Sequence, residues 1–381
     1  MDPQLLNDPG WWLDARPLAP GGFPGGPPDL PELAGKVLFA TSGSSGRPKW
    51  IALTKDALLL SAAAVNAHLG VDEDSVWGLA LPWHHVGGFG VLARTHEAAC
   101  RCATFGLRWN PECFRKFLME NGVTHCSLVP TQVHDLVSAG IVAPTKLRAV
   151  VVGGGRLTEE SGRAARALGW PVLASYGMTE AGSQIATQGL DSLESLYQPA
   201  PIPVLPHWQV RTADDGRLEI SGPALFDGML EESGAVWRYQ ARTEEWYATN
   251  DRVLVSADGL TPLGRVDAVV KVLGELVDPE RVGAELLERA GHRLRAESCA
   301  VVAIPDERAG HRLVPVFDKT VSHEIARAVL DSYHSNAPGF RRLDSPVWVE
   351  NLPRSPLGKL LREKLTLEID RNLEALGGRE A

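Results

Sequence analysis

Apolar residues run along this chain in short blocks, broken by glycine, proline and polar clusters. Val37–Ala40 and Trp50–Leu53 read as two strands of a hairpin. Thr54 then caps a helix over Lys55–Leu69, whose apolar residues recur at helical spacing. Beyond it, strands at Val76–Leu81, Thr124–Val129, Leu147–Val152 and Val172–Ser175 alternate with helices at Cys113–Asn121, Val133–Ala139 and Glu159–Leu168. That alternation predicts an α/β fold with largely parallel strands. Ligands in such folds collect beyond the C-terminal ends of the strands.

From about Pro201 the pattern changes. Gln209–Thr212, Arg217–Ser221, Trp237–Tyr239 and Val253–Val255 are short strands between Gly and Asp turns, which predicts a small antiparallel, barrel-like part. After Gly264-Arg-Val-Asp267 comes an α+β region: strand Val269–Leu273, helix Pro279–Ala290, strands Ser298–Ile304 and Val314–Phe317, helix His323–His334 and strand Pro346–Glu350. Domains at 1–264 and 265–381 follow. Residues 1–35, rich in Pro and Gly, read as an irregular leader anchored by Trp11-Trp12, and the end beyond Lys364 as a polar tail.

Composition narrows the options. A formal net charge of −9 argues against nucleic-acid or anionic-membrane partners, so an anionic ligand needs a local basic feature. The longest apolar stretch, Ala57 to Leu69, is interrupted by Ser61, Asn66 and His68 and falls short of the roughly 20 residues that cross a bilayer. Met1-Asp-Pro-Gln lacks the features of a secretory signal. A cytoplasmic, soluble protein is expected. Five scattered cysteines read as free, mostly buried thiols; the Cys100/Cys102 pair has no second pair at zinc spacing.

Candidate chemistry lies in the connections. Thr41-Ser-Gly-Ser-Ser-Gly-Arg-Pro-Lys49 joins the first two strands with four hydroxyls, two glycines and a lysine, groups that suit phosphate oxygens. A flexible surface loop would use many of the same residues. The strand after Lys49 sets it apart from the nucleotide-hydrolase loop, which opens a helix. Tyr176-Gly-Met-Thr-Glu180 follows a strand; beside a triphosphate Thr179 could bond a phosphate oxygen and Glu180 could hold Mg2+, a hard cation that prefers oxygen ligands, or else the stretch is a turn with a capping Thr. Gly153-Gly154-Gly155 lacks dinucleotide-fold spacing but can bring backbone close to a flat ring. His84-His85 point different ways, which disfavours a metal pair. Asp251 lies beyond an aromatic strand, where it could accept ribose hydroxyls or sit in a surface turn. Leu352-Pro-Arg-Ser-Pro-Leu-Gly-Lys-Leu-Leu-Arg362 sets one lysine after a glycine in a Pro-stiffened loop and is, by itself, only a basic loop.

Together and in this order, these motifs resemble the adenylate-forming superfamily of acyl-CoA synthetases, peptide-synthetase adenylation domains and luciferases. The matching pieces are T-S-G-S-S-G-x-P-K, the H-x-x-G of His85, Y-G-M-T-E, W-Y-x-T-x-D, G-R-x-D and P-R-x-x-x-G-K-x-x-R. His85-Val-Gly-Gly-Phe-Gly-Val-Leu-Ala-Arg94 and Tyr176-Gly-Met-Thr-Glu-Ala-Gly-Ser-Gln-Ile-Ala-Thr187 most resemble the o-succinylbenzoate–CoA ligases of menaquinone biosynthesis, in a compact form whose phosphate loop starts at Thr41. Trp50 and Asn250 replace glycines usual in that family, without removing a group the reaction needs.

The resemblance implies a two-step ligase using ATP, Mg2+ and CoA on a small-molecule carboxylic acid. Thr41, Ser42, Gly43, Ser44, Ser45, Gly46 and Lys49 would cradle the β/γ-phosphates. Thr179 would touch the α-phosphate and Glu180 bind the metal. Tyr176, Gly177 and Gly153–Gly155 would hold adenine, and Asp251 with Arg265 the ribose. His85 would form part of the acyl pocket or a gate to it; Arg94, Arg156 and Ser183 are candidates for the acid's distal group. Lys359 would bridge carboxylate and α-phosphate from a small mobile C-terminal domain that swings about Asp267, with Gly274 lining the CoA channel. The short front leaves room for a covering partner, and a homodimer is compatible. Alternatives are a CoA ligase for another aromatic or aliphatic acid, a non-CoA adenylating enzyme, or an inactive ATP-binding homologue.

Overall fold

The computed structural model describes residues 6, 8–42, 48–233, 236–266, 268–306, 308–355, 358 and 360–377. They fall into two compact units: Met1–Thr249 with Leu254–Thr261, and Asn250–Val253 with Pro262–Ala381.

In the first unit, the leader is more regular than its composition suggests. Pro9–Leu13 forms a short helix, α1, with Asp8 capping it and Pro9 in its first turn, where a missing N–H costs nothing. Lys36–Ser42 (β1) and Pro48–Thr54 (β2) pair antiparallel, Lys36 opposite Thr54 and Ser42 opposite Pro48, which is the anticipated hairpin. Thr54 caps α2 (Lys55–Leu69) by accepting from Ala57 N. β3 (Val76–Leu79) leads into α3 (Val86–Glu97), a helix that the sequence pattern does not reveal. Gly87, Gly88 and Gly90 each lower helix propensity by about 1 kcal/mol, but burial of residues 88–95 overrides them. At Gly88 a β-carbon would stand 2.3 Å from Pro82 O, so only glycine lets α3 approach the loop that precedes it.

The chain continues through β4 (Arg101–Thr104), α4 (Pro111–Asn121), β5 (His125–Leu128), α5 (Pro130–Ser138), β6 (Ala149–Val152), α6 (Glu159–Ala167), β7 (Val172–Met178) and β8 (Ser183–Thr187). Their sheet has the order β4-β3-β5-β6-β7-β8, parallel except for the β7–β8 pair. β3, β5 and β6 are buried along their whole length, as expected of strands covered on both faces. Then come β9 (Gln209–Thr212), β10 (Arg217–Ser221), β11 (Gly228–Ser233), β12 (Val236–Ala241), β13 (Tyr247–Ser256) and β14 (Gly259–Arg265), which build two antiparallel sheets, β1-β2-β11-β12 and β14-β13-β10-β9. The antiparallel part is therefore present, with β11 and β14 added to the expected strands.

The second unit holds the hairpin β15 (Val270–Val272) and β16 (Glu275–Val277), then α7 (Pro279–Ala290), β17 (Cys299–Asp306), β18 (Gly310–Asp318), α8 (His323–His334), β19 (Val347–Val349) and α9 (Arg362–Gly377). Alternate residues of β17 enter two cores. Cys299 and Val301 pack with Val282, Leu286 and Val329 of α7 and α8, while Ala300, Val302 and Ile304 pack with Leu365 and Ile369 of α9. α9 corrects the polar-tail expectation. Leu365, Ile369 and Leu373 recur every four residues and give it one apolar stripe.

Among the thiols, Cys126 and Cys299 are buried, Cys100 and Cys102 half-buried, and Cys113 exposed, so fewer are buried than composition implied.

Candidate active site

Parallel β3, β5, β6 and β7 bring their C-terminal ends to one edge of the sheet. Gly153–Gly155 follow β6 there; Gly153 N donates to Leu128 O at 3.1 Å, and Gly155 lies against the Pro130 ring. Tyr176, Gly177 and Met178 are the last residues of β7, not a turn beyond it, which corrects the sequence expectation. The strand runs on because β8 pairs with it, through a register shift at Tyr176/Gly177. A 3-10 turn over Thr179–Ala181 then presents Thr179 and Glu180, closed by Gly182 N donating to Thr179 O.

Two backbone bonds tie this turn to the hairpin. Phe226 N donates to Glu180 O at 2.8 Å, and Asp227 N to Ala52 O on β2 at 2.9 Å. At the hairpin end Thr41 faces Lys49 across the pair, and Ser42 faces Pro48. Lys49 Nζ lies 2.9 Å from Glu231 Oε1 on β11. Gly43, Ser44, Ser45 and Gly46 lie outside the described residues.

Behind the strand ends is a buried polar cluster. Arg94 on α3 is 2 % exposed. Its Nη2 donates to Gln184 Oε1 at 2.7 Å, its Nη1 lies 3.4 Å from Ser127 Oγ, and its guanidinium sits over the Trp77 ring. Nε is buried without a partner. Burial pushes the guanidinium down to about 9; among the described residues no carboxylate pairs with it to offset that. Gln184 is fixed the other way round by Nε2 donating to Ser175 Oγ and Thr187 Oγ1. Ser183 adjoins: a β-carbon on Gly90 would meet both Arg94 Nη2 and Ser183 Cβ. Ser183 also has φ +115, a strained backbone for a non-glycine residue. His85 stands at the N-cap position of α3, where its side chain makes no capping bond. Burial, with His84 beside it, lowers its pKa and favours the neutral ring, and its Nε2 is buried without a partner. Arg156 is exposed on the loop before α6, and its charge acts on Tyr197.

In the second unit Asp251 lies within β13 instead of beyond it, and Arg265 Nη1 is 3.7 Å from Asp251 Oδ1. Both ribose candidates are thus neighbours. Gly274, φ +86, is exposed at the tip of the β15–β16 hairpin. Asp267 and Lys359 lie outside the described residues. The flanks of Lys359 are held, with Gly358 N donating to Ser355 O, Leu361 N to Pro353 O and Arg354 Nη1 to Gly358 O.

Within the first unit the fold thus gathers Gly153–Gly155, Tyr176, Thr179 and Glu180 at neighbouring strand ends, and Arg94 with Ser183 in one cluster. Gln184 and Glu231 are additions that sequence reasoning missed. Gln184 stands inside the Tyr176–Thr187 stretch, and the spacing of Gly90 and Arg94 is that of one helix face.

A family profile described as AMP-binding enzyme matches residues 30–230, just over half the chain. The 2-succinylbenzoate–CoA ligase of Bacillus cytotoxicus is 28% identical over 340 residues, covering 86% of this chain and 69% of that protein. Two Bacillus subtilis structures of o-succinylbenzoate CoA synthetase share the fold. The complex with the acyl-adenylate intermediate has TM-score 0.73 at 24% identity, covering 86% of this chain and 68% of that one. The complex with ATP and magnesium has TM-score 0.72 at 23% identity, covering 86% and 69%.

Proposed function

The chain belongs to the AMP-binding enzyme family, and we propose that it is an ATP-dependent acid–CoA ligase acting on o-succinylbenzoate. A carboxylate oxygen attacks the α-phosphorus of ATP and pyrophosphate leaves. The CoA sulfur then attacks the acyl carbon, its proton is lost to solvent, and AMP leaves. ATP, CoA and the acid are the substrates, and Mg2+ is the metal.

The first step joins a carboxylate to a polyanion, so charge neutralisation and positioning dominate it. Lys49 and the hydroxyls of Thr41, Ser42, Ser44 and Ser45 take the β/γ-phosphates. Thr179 meets the α-phosphate. Glu180, next to Thr179 on the same turn, offers a hard carboxylate donor that suits Mg2+, which when bound would neutralise phosphate charge. Tyr176, Gly177 and Gly153–Gly155 cover adenine, and the adjacent Asp251 and Arg265 read the ribose. Lys359 bridges carboxylate and α-phosphate as a point charge. It rides on a domain, residues 265–381, that turns about Asp267 between the two steps, with Gly274 beside the pantetheine path.

The observation that carries the choice of acid is Arg94, a buried guanidinium held by neutral partners. A buried cation without an acidic partner is costly until an anion arrives. The second carboxylate of o-succinylbenzoate supplies one, with Ser183 beside it and the neutral His85 walling the pocket. Arg156 is a weaker candidate, being exposed. Among the described residues no helix is long and apolar enough to cross a membrane. The proposed use of ATP and CoA as substrates favours a cytoplasmic reaction. A homodimer is compatible with this reading and not required by it.

The test is CoA-dependent AMP formation with o-succinylbenzoate beside benzoate and fatty acids. A charge-assisted contact to the second carboxylate predicts a kcat/KM advantage of about 30-fold or more. Preference for a monocarboxylic acid would overturn the substrate, AMP release without CoA the thioester step, and ATP binding without turnover the enzyme.

A further inference from the structure

The leader is bonded to the body of the first unit through unusually specific contacts. Lys55, at the start of α2, is 3 % exposed. Its Nζ donates to Trp11 O at 2.6 Å and Asp14 O at 2.7 Å and lies 3.8 Å from the centre of the Trp11 ring. A buried ammonium is tolerated only where its protons find acceptors, and here those acceptors are main-chain carbonyls of the leader. Further on, Leu18 N donates to Lys36 O and Leu38 N to Leu18 O, so the leader adds a parallel bridge to β1.

What the leader grips is α3. Trp11 and Trp12 stand 6.1 and 6.0 Å from Phe89, and Trp12 stacks on His96 with centroids 5.0 Å apart and planes 15° apart. Phe89 and His96, seven residues apart, lie on one stripe of the helix. Gly90 and Arg94 lie on another, about 120° round it, against Ser183 and Gln184. His85 is the N-cap of the same helix. The three glycines that weaken α3 leave its placement dependent on what packs against it.

We propose that residues 8–18 form a strap that positions α3, and through it Arg94 and His85, with Lys55 as its buckle. Trp11, Trp12 and Lys55 are positioning residues for the acid subsite and touch no substrate. This rests on the reading of Arg94 given above.

Two variants test it. Lys55→Met keeps the apolar stem and removes the bonds to Trp11 O and Asp14 O. Trp11→Leu keeps an apolar side chain on a half-buried site and removes the ring contacts, so it guards against a folding failure of the first. In each, the KM for whichever acid the wild type activates best should rise about tenfold, while the KM for ATP stays within about twofold and kcat changes less than the acid KM. Amide hydrogen exchange over Val86–Glu97 should quicken while β5 and β6 keep their protection. An unchanged acid KM, a parallel rise in both KM values, or unchanged exchange in α3 overturns the strap. A wrong substrate assignment leaves the test intact, because the preferred acid is the one followed. A wild type that adenylates no acid sinks the proposed function instead, and the exchange measurement alone then decides the strap.

Discussion

A β-carbon on Gly177 would stand 1.6 Å from the carbonyl oxygen of Ser183. The two residues meet where β7 and β8 shift register, and the same close approach accompanies the strained φ of Ser183. Backbone opposes the added atom, so no side-chain rotation relieves the clash. Gly177→Ala should therefore cost upward of about 3 kcal/mol. Thermal unfolding should show a markedly lower midpoint, and surviving protein should bind ATP weakly. A variant with wild-type stability would mean that the two strands can separate freely.

Gln184 holds Arg94 with a neutral oxygen. Gln184→Leu leaves that guanidinium short of an acceptor and Ser175 and Thr187 short of a donor, a loss of about 1–3 kcal/mol in denaturant unfolding. Gln184→Glu separates structure from recognition. It supplies the missing counter-charge, and the hydroxyls of Ser175 and Thr187 can turn to donate to its second oxygen in place of the lost Nε2 bonds, so stability should hold, while the acid KM rises about tenfold or more because Arg94 is already neutralised. If Glu at this position leaves the acid KM alone, Arg94 does not meet the acid.

Stability of the first unit should fall in mild acid. His125 is buried, with Nδ1 2.8 Å from Thr124 Oγ1, and burial lowers its pKa from 6.5 to about 4. The unfolded chain thus takes up the proton first as pH drops. Stability is full above about pH 6.5 and is lost progressively towards pH 4, by about 3 kcal/mol for this group. His207 is shifted the same way to about 4. Burial lowers His85 and His96 in the same direction, so unfolding curves for His125→Gln should show a reduced slope in that window without losing it. An unaltered slope would assign it to other groups.

Lys359→Ala should lower adenylation about a thousandfold, as loss of a charge aimed at the transition state does, yet largely spare thioester formation from supplied acyl-adenylate. Separate assays of the two half-reactions decide this; equal losses in both would remove the lysine from the first step.

Much of this architecture is legible from period and punctuation. The hairpin around Thr41–Lys49, the parallel alternation and the helices at Lys55 and Pro279 follow from local pattern, because each buries a face that the pattern marks. Three features escape for physical reasons. α3 is glycine-rich and is held by tertiary burial against its own propensity. α9 hides the stripe Leu365, Ile369, Leu373 among charged residues that dominate its composition. The clamp of Lys55 on Trp11 and Asp14 spans over forty positions through main-chain oxygens, which carry no sequence signature. At the site the motifs name residue types, while the groups those residues meet, Gln184 for Arg94 and Glu231 for Lys49, come from other elements.

The paired bonds from Phe226 N to Glu180 O and from Asp227 N to Ala52 O have a consequence for chain length. Consecutive amides span the gap between the Thr179–Glu180 turn and the β2 strand, so one extra or missing residue at that point would throw one of the two out of phase. Natural length variation in related chains should avoid residues 225–228 and collect instead at turns such as Ala213–Gly216, where the loop closes on itself.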